Sequence, residues 1–211
     1  MALPAAGTGP GGPRDSTVGT GKPRSDVKTA IVLLLAMVLG VVPAAAQQPI
    51  LGGNPLVRAV LDRDLSQAKA LLLSGNAPQG RDLNRRPLTV IAVANNDLAM
   101  LDLLLAYGAN ANETDAQGNS PLSHAAALGS IDAVERLIAA GVQLDWANQQ
   151  GMTPLMRAAQ VGANAIVRRL IDAGALVDLT DFTGRDALAW AETNGHQRAA
   201  AMLRTALAAG S

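Results

Sequence analysis

The sequence TPLMRAAQVG, from Thr153 to Gly162, reads as one short helix with both ends marked. Thr153 is a good N-cap residue, and Pro154 follows at the first helical position, where its missing N–H costs nothing. Ala158 and Ala159 are small enough to let a neighbouring helix approach closely. Gly162 ends the helix in the left-handed conformation that glycine favours. The stretch therefore predicts an alanine-faced helix with a fixed start and stop.

A second helix and an extended turn follow this first helix. Gly174 ends the second helix, and residues 176–184 form a polar turn. The apolar residues of the second helix have the spacing of one helical face, and they are Ile166, Val167, Leu170 and Ile171. The segment thus predicts a helix–turn–helix unit closed by a long turn.

The unit recurs every 33 residues, which is the signature of a repeat architecture. Three columns share this spacing: Ala59, Ala92, Ala125, Ala158 and Ala191; Leu71, Leu104, Leu137, Leu170 and Leu203; and Gly75, Gly108, Gly141 and Gly174. A fourth column varies in residue but keeps capping chemistry, with Asn54, Ser120, Thr153 and Asp186. Only four of 211 residues are aromatic, so the core must be aliphatic, which favours close-packed helices over strands.

These motifs resemble those of the ankyrin-repeat family. Its T-P-L-H-x-A-A block is matched by residues 153–159 and 120–126, its G-A-x-x-N segment by residues 108–112, its D-x-x-G turn by residues 115–118, and its Gly-His pair by Gly195-His196. The resemblance implies an all-α solenoid over residues 54–207, with β-turn or hairpin loops between its helix–turn–helix units. About five units are expected, at residues 54–86, 87–119, 120–152, 153–185 and 186–207, with a C-terminal tail at 208–211.

The repeats depart from the family pattern at several positions. The family's histidine after Pro-Leu is missing from every unit, so its hydrogen bonds across the turn must be absent or supplied otherwise. Pro87 lies one residue early relative to Ala92, which predicts a local shift near Arg85. Arg63 and Asn96 replace the glycine between the helices, and Asn tolerates the left-handed conformation.

Residues 1–46 have the layout of a secretory signal. A long, disordered, basic segment at 1–28 with a net charge of +2 precedes a run of thirteen mostly aliphatic residues at 30–42, which is too short to span a bilayer. Pro43 and three alanines follow, so we expect cleavage between Ala46 and Gln47. The mature protein, with a linker at 47–53, would be periplasmic or secreted and would touch the membrane only transiently. A retained, uncleaved anchor in the inner membrane is the alternative.

The sequence offers no constellation for catalysis. It has no cysteine, and its two histidines lack metal-ligand spacing. The glycines follow the 33-residue period and form no phosphate loop. The mature net charge of 13 minus 15, or −2, argues against nucleic-acid binding. We therefore expect no enzyme activity, cofactor, metal or nucleic-acid partner, with an accessory subunit of a periplasmic enzyme as the alternative.

The resemblance implies that a monomeric array binds a partner protein of unknown identity. In the family, partner contacts commonly use the turn tips and the two residues before the inter-helix glycine, on the concave side. Leu128 and Val161 would then form a small apolar strip; alternatively they and Trp190 complete packing between units. The residues carried over are Gln117, Asn119, Leu128, Gln149, Gln150, Met152, Gln160, Val161, Phe182, Arg185 and Asn194. Trp190 joins them as a rare aromatic residue towards the same end as Phe182, because aromatic residues are enriched among binding hot spots.

Arginines recur on the second helices. Arg136 and Arg169 occupy the same repeat position, and Arg168 lies beside Arg169. We expect a solvated outer face with pairs within one helix, such as Asp132 with Arg136. Contact with an acidic partner is the alternative.

Overall fold

The computed structural model describes residues 53–209, and in this range it has ten α-helices and no strand. The chain alternates a first and a second helix in each of five repeats, which confirms the predicted all-α solenoid. The helices are α1 Pro55–Leu61, α2 Leu65–Leu73, α3 Leu88–Ala94, α4 Leu98–Ala106, α5 Pro121–Leu128, α6 Ile131–Ala139, α7 Pro154–Gln160, α8 Asn164–Asp172, α9 Ala187–Thr193 and α10 Gln197–Ala209. The predicted signal segment and its junction at Ala46 and Gln47 lie outside the described residues.

Side-chain caps start four of the five first helices, as predicted. Each cap oxygen accepts a hydrogen bond from a backbone N–H in the first turn, and this satisfies a group with no partner inside the helix. The distances are 2.9 Å from Leu56 N to Asn54 Oδ1, 3.1 Å from Ser123 N to Ser120 Oγ, 3.3 Å from Met156 N to Thr153 Oγ1, and 2.7 Å from Ala189 N to Asp186 Oδ1.

The second repeat keeps the common register, so the predicted shift near Arg85 is wrong. Helix α3 starts at Leu88, which is 33 residues before the start of α5. Pro87 occupies the cap position in an extended conformation and makes no side-chain cap hydrogen bond. Arg85 has a positive φ of +61°, and Gly118 at the equivalent position one repeat later has a φ of +80°. The proline therefore replaces the cap residue and leaves the helix start unmoved.

The turn between the two helices of a repeat needs a left-handed residue. Gly129, Gly162 and Gly195 supply it in the last three repeats. Asn96 takes the same conformation with φ of +52°, as the sequence predicts, and Arg63 does so with φ of +57°. Because a side chain is strained at such angles, the first two repeats pay a local conformational cost that the others avoid.

Alanine gives the first helices their close packing. Ala59, Ala92, Ala125, Ala158 and Ala191 are at most 1 % exposed. In the last three repeats, neighbouring first helices contact each other more extensively than neighbouring second helices do. Leu104, Leu137, Leu170 and Leu203 are fully buried, whereas Leu71 is only half-buried because no described repeat precedes it.

The second helices form the outer layer and are tied by an ion pair between repeats. Arg136 Nε on α6 lies 2.9 Å from Asp102 Oδ1 on α4. Arg136 also donates to the backbone carbonyl of Asp132, but it forms no ion pair with the Asp132 carboxylate within the described chain. The expected pair within one helix is therefore wrong, because the carboxylate of the adjacent repeat lies closer to the guanidinium.

The C-terminal end differs slightly from the sequence prediction. Helix α10 runs to Ala209, so residues 208 and 209 belong to the last helix rather than to a tail. No helix between residues 53 and 209 is long and apolar enough to cross a membrane.

Replacing Gly162 with alanine is expected to lower the free energy of unfolding more than the same change at Gly129. Both glycines have positive φ, +68° and +71°, so each alanine introduces about 1–2 kcal/mol of backbone strain. At Gly162 the added Cβ would also collide with the imidazole ring of His196, whereas at Gly129 no described atom lies within 4 Å of it. Urea unfolding of the two variants measures the difference. Equal losses would contradict close packing between His196 and Gly162.

Candidate functional site

Each long turn is organised by one side-chain oxygen that accepts two backbone N–H groups. Asp115 Oδ1 accepts from Gln117 N and Asn119 N, both at 2.9 Å. Asp82, Asn148 and Asp181 occupy the same repeat position and do the same in their own turns, at distances from 2.8 to 3.0 Å. A short polar side chain that bonds backbone two residues on is a common way to fix a turn. The 33-residue spacing of these four residues is the sequence signal for this role.

Two ring N–H groups join the turns to the first helices. His124 Nε2 lies 2.8 Å from Asp115 Oδ2, and the Trp190 indole Nε1–H donates to Asp181 Oδ2 at 2.9 Å. Both rings lie one residue after the position of the family's missing histidine. The hydrogen bonds across the turn are therefore supplied by a neighbouring position.

Trp190 has a structural role in addition to any contact with a partner. Its indole N–H is used by Asp181, and the guanidinium of Arg185 lies over its ring at 3.8 Å from the centroid. Such a stack is a favourable cation–π contact. The two side chains hold each other at the last turn, and both are half-buried.

Neighbouring turn tips are hydrogen-bonded to each other. Gln149 N donates to Gln117 O at 3.1 Å, and Gln149 Nε2 donates to Ala116 O at 3.0 Å. One repeat later, Phe182 N donates to Gln150 O at 3.1 Å. These bonds fix the positions of three successive tips relative to one another. A surface that is ordered before binding loses less conformational entropy when a partner docks.

The predicted apolar strip is accessible to solvent. Leu128, at the end of α5, is 56 % exposed, and Val161, just after α7, is 44 % exposed. Gln160 beside them is half-buried, and Asn194 of the next repeat is exposed. These four residues lie at or just after the C-terminal ends of adjacent first helices.

The residues at the turn tips differ in how much of each side chain is exposed and could contact a partner. Gln117, Gln149 and Gln150 are exposed, and Phe182 is the most accessible of the predicted aromatic residues at 79 %. Asn119 is half-buried because its amide donates to Asp115 and its Oδ1 accepts from Asn148 Nδ2 at 2.8 Å. Its side chain therefore connects two turns.

Met152 does not lie at an accessible tip, so its place in the predicted surface is wrong. It is 6 % exposed and belongs to the hydrophobic core cluster. Its N–H donates to Asn148 Oδ1 and its carbonyl accepts from Asn148 N. Met152 thus closes the turn, and its side chain packs inward.

The buried carboxylates of the turns are stabilised as anions. Burial raises the pKa of Asp181, but hydrogen bonds from Thr183, the Arg185 N–H and Trp190 lower it by more than burial raises it. The resulting pKa of Asp181 is about 2. Burial likewise raises the pKa of Asp115, while hydrogen bonds from His124, Asn119 and Gln117 bring it below the ordinary value. Within residues 53–209 no group of three His, Asp or Glu residues could hold a metal ion. These carboxylates hold turns in place.

Comparison with protein families agrees with this architecture. A family model described as ankyrin repeats (3 copies) matches residues 56–145 and 125–209, which is most of the chain. The chain belongs to the ankyrin-repeat family. Ankyrin repeats are generally protein–protein interaction modules and are typically not enzymes. The exposed tips and strip of this ankyrin array are therefore its candidate functional site.

Asp181→Asn is expected to destabilise the last repeat by about 1–3 kcal/mol near neutral pH. Asn148 shows that an amide can keep both backbone hydrogen bonds, but the amide of the variant would lose the charged acceptor of the Trp190 N–H. The native pKa of Asp181, about 2, is below the ordinary 3.8. The Asp181 carboxylate therefore stabilises the folded state above about pH 4, and this contribution is lost as the pH falls towards 2.

Urea unfolding at several pH values between 4 and 2 measures this effect. The wild type should lose more stability over that range than Asp181→Asn, which has no carboxyl group to protonate at this position. Asp82 and Asp115 also have a lowered pKa, because hydrogen bonds outweigh burial, so part of the slope persists in the variant. An unchanged slope would show that Asp181 does not carry this acid sensitivity.

Proposed function

We propose that this protein is an exported, non-enzymatic ankyrin module that binds a partner protein through the strip of Leu128 and Val161 and the adjoining turn tips. The observation that carries the proposal is the exposure of two aliphatic side chains at equivalent ends of adjacent first helices. The other leucines of the same two helices, Leu122 and Leu155, are fully buried, so exposure is not a general property of the large aliphatic residues of these helices.

The surroundings of the strip support a protein interface. Interfaces combine an apolar centre with a polar rim, and here the apolar pair adjoins Gln160 and Asn194. Phe182 adds an exposed aromatic side chain at a turn tip, and aromatic residues are enriched among binding hot spots. No step of this binding uses a cofactor.

Export is proposed from the sequence of residues 1–46, which has a basic start, a short apolar run and small residues before Gln47. The module would act in the periplasm or outside the cell. A retained segment would instead make it a membrane-tethered scaffold of the inner membrane.

Recovery of the protein from fractionated native cells tests both parts of the proposal. A tagged full-length protein is crosslinked and pulled down, and its N-terminus is sequenced from the same sample. A periplasmic protein that starts at Gln47 and carries one dominant partner supports the proposal. A membrane protein with residues 1–46 intact replaces it with the tethered scaffold, and an intact, soluble, partnerless protein overturns it.

The double variant Leu128→Asp with Val161→Asp is expected to weaken binding of the recovered partner by about thirtyfold or more. Two charges would replace the apolar centre, while the exposed positions allow cooperative folding to persist. Leu73→Asp is the matched control, because Leu73 is also an exposed aliphatic residue (68 %) but lies on α2. Binding is measured by titration and folding by urea unfolding. Normal binding by the double variant would refute the assignment of the strip.

A further inference from the structure

Three arginines of the outer layer share a recess and have no carboxylate partner within residues 53–209. Arg168 and Arg169 lie on α8, and Arg198 lies on α10. The recess has a volume of about 590 Å³ and is lined by these arginines and by residues of α6. We call it the arginine recess. Elsewhere in the same layer Arg136 is neutralised by Asp102 at 2.9 Å, so an unpaired arginine is not required by the repeat.

The ion pair between repeats is broken here by the sequence itself. Asp102, Glu135 and Arg168 occupy one column at the 33-residue spacing, and Arg136, Arg169 and Met202 occupy the column that faces it. The second pair sets Glu135 opposite Arg169, but the described residues form no ion pair there. The third pair joins a guanidinium to a thioether, with Arg168 Nη2 at 3.8 Å from Met202 Sδ. A thioether is a weak acceptor, so the charge of Arg168 has no matching anion at that position.

The helix ends add to the positive character of the recess. Ile131, Asn164 and Arg198 all lie in the first turn of their helices, where unpaired N–H groups and the helix dipole favour anions. Helices α6 and α8 begin without a side-chain cap hydrogen bond. Glu135 and Asp172 also line the recess and offset part of the charge. The site therefore suits a few carboxylates rather than a polyanion.

An apolar groove continues from the recess between α8 and α10. Ile171 and Ala206 line it, and it shares Arg168, Asp172 and Met202 with the recess. Helix α10 has 13 residues against 9 in α8, so it extends the groove past the end of α8. A cationic recess that leads into an apolar groove matches a peptide with acidic residues followed by aliphatic ones.

We propose that the arginine recess and its groove form a second docking surface, for an acidic, partly aliphatic segment of a partner protein. The leader of this chain lacks the charge to fill it, since residues 1–28 carry a net +2. A flat anionic membrane would not fill a recessed groove with aliphatic walls. The surface lies on the second helices, whereas the strip of Leu128 and Val161 lies on the first helices, so the two can be occupied independently.

Binding of a fluorescein-labelled peptide of glutamate and leucine residues to the full chain tests the proposal. A peptide with glutamine in place of glutamate is the ligand control. The triple variant Arg168→Gln, Arg169→Gln, Arg198→Gln is expected to bind the acidic peptide about tenfold or more weakly, because charge-assisted hydrogen bonds are lost. Arg58→Gln, an exposed arginine of the first repeat, should bind as the wild type does. Binding should weaken between about 0.01 M and 0.15 M ionic strength.

Three results of the binding experiments would overturn the proposal, and a fourth concerns self-association. The three binding results are unchanged affinity in the triple variant, equal binding of the glutamine peptide, and binding of phosphatidylglycerol vesicles in place of the peptide. Concentration-dependent dimerisation that is lost in the triple variant would make a second copy of this chain the occupant, and would likewise overturn it. The double variant Leu128→Asp with Val161→Asp should bind the peptide normally, so failure of the strip as a partner site leaves this test unaffected.

Discussion

Close contact between alanine-faced first helices is the interaction on which the array depends. A single repeat of two short helices cannot bury its own apolar face, so each repeat is stable only against its neighbours. The buried alanines set how near the next helix can come, and the fully buried leucines of the second helices fill the space behind them. In the last three repeats the first helices also contact their neighbours more extensively than the second helices do.

The turns depend on that packing and then constrain it. The Asp181 carboxylate is held by its own turn and by Trp190 of the following helix, and Asp115 is held in the same way with His124. The long turn is therefore part of the folded unit. Hydrogen bonds between successive tips extend this order along the array. The result is a hydrogen-bonded edge of polar turns in an array that also exposes Leu128 and Val161.

The repeat pattern was predictable because it rests on local chemistry. Caps, helix-ending glycines and the 33-residue columns each follow from one residue type at one spacing, and the structure confirms them. The errors concern the start of one helix, an ion pair between repeats and the burial of one side chain. The distance of Pro87 from Ala92 suggests a shifted helix start, but a proline also fits the cap position and leaves the start unmoved. Arg136 pairs with a carboxylate one repeat away, and the Met152 side chain is buried. Neither contact could be predicted from residues nearby in the sequence. The identity of a partner depends on a second molecule and cannot be read from this chain.

The left-handed conformations of Arg63, Arg85 and Asn96 have a consequence for the order in which the chain folds. All the strained, non-glycine turns of residues 53–209 lie in the first two repeats, and such strain persists only where surrounding structure holds it. The last three repeats, with glycine at these turns, are then the favoured nucleus. The strained turns of the first two repeats would then form against repeats that are already folded.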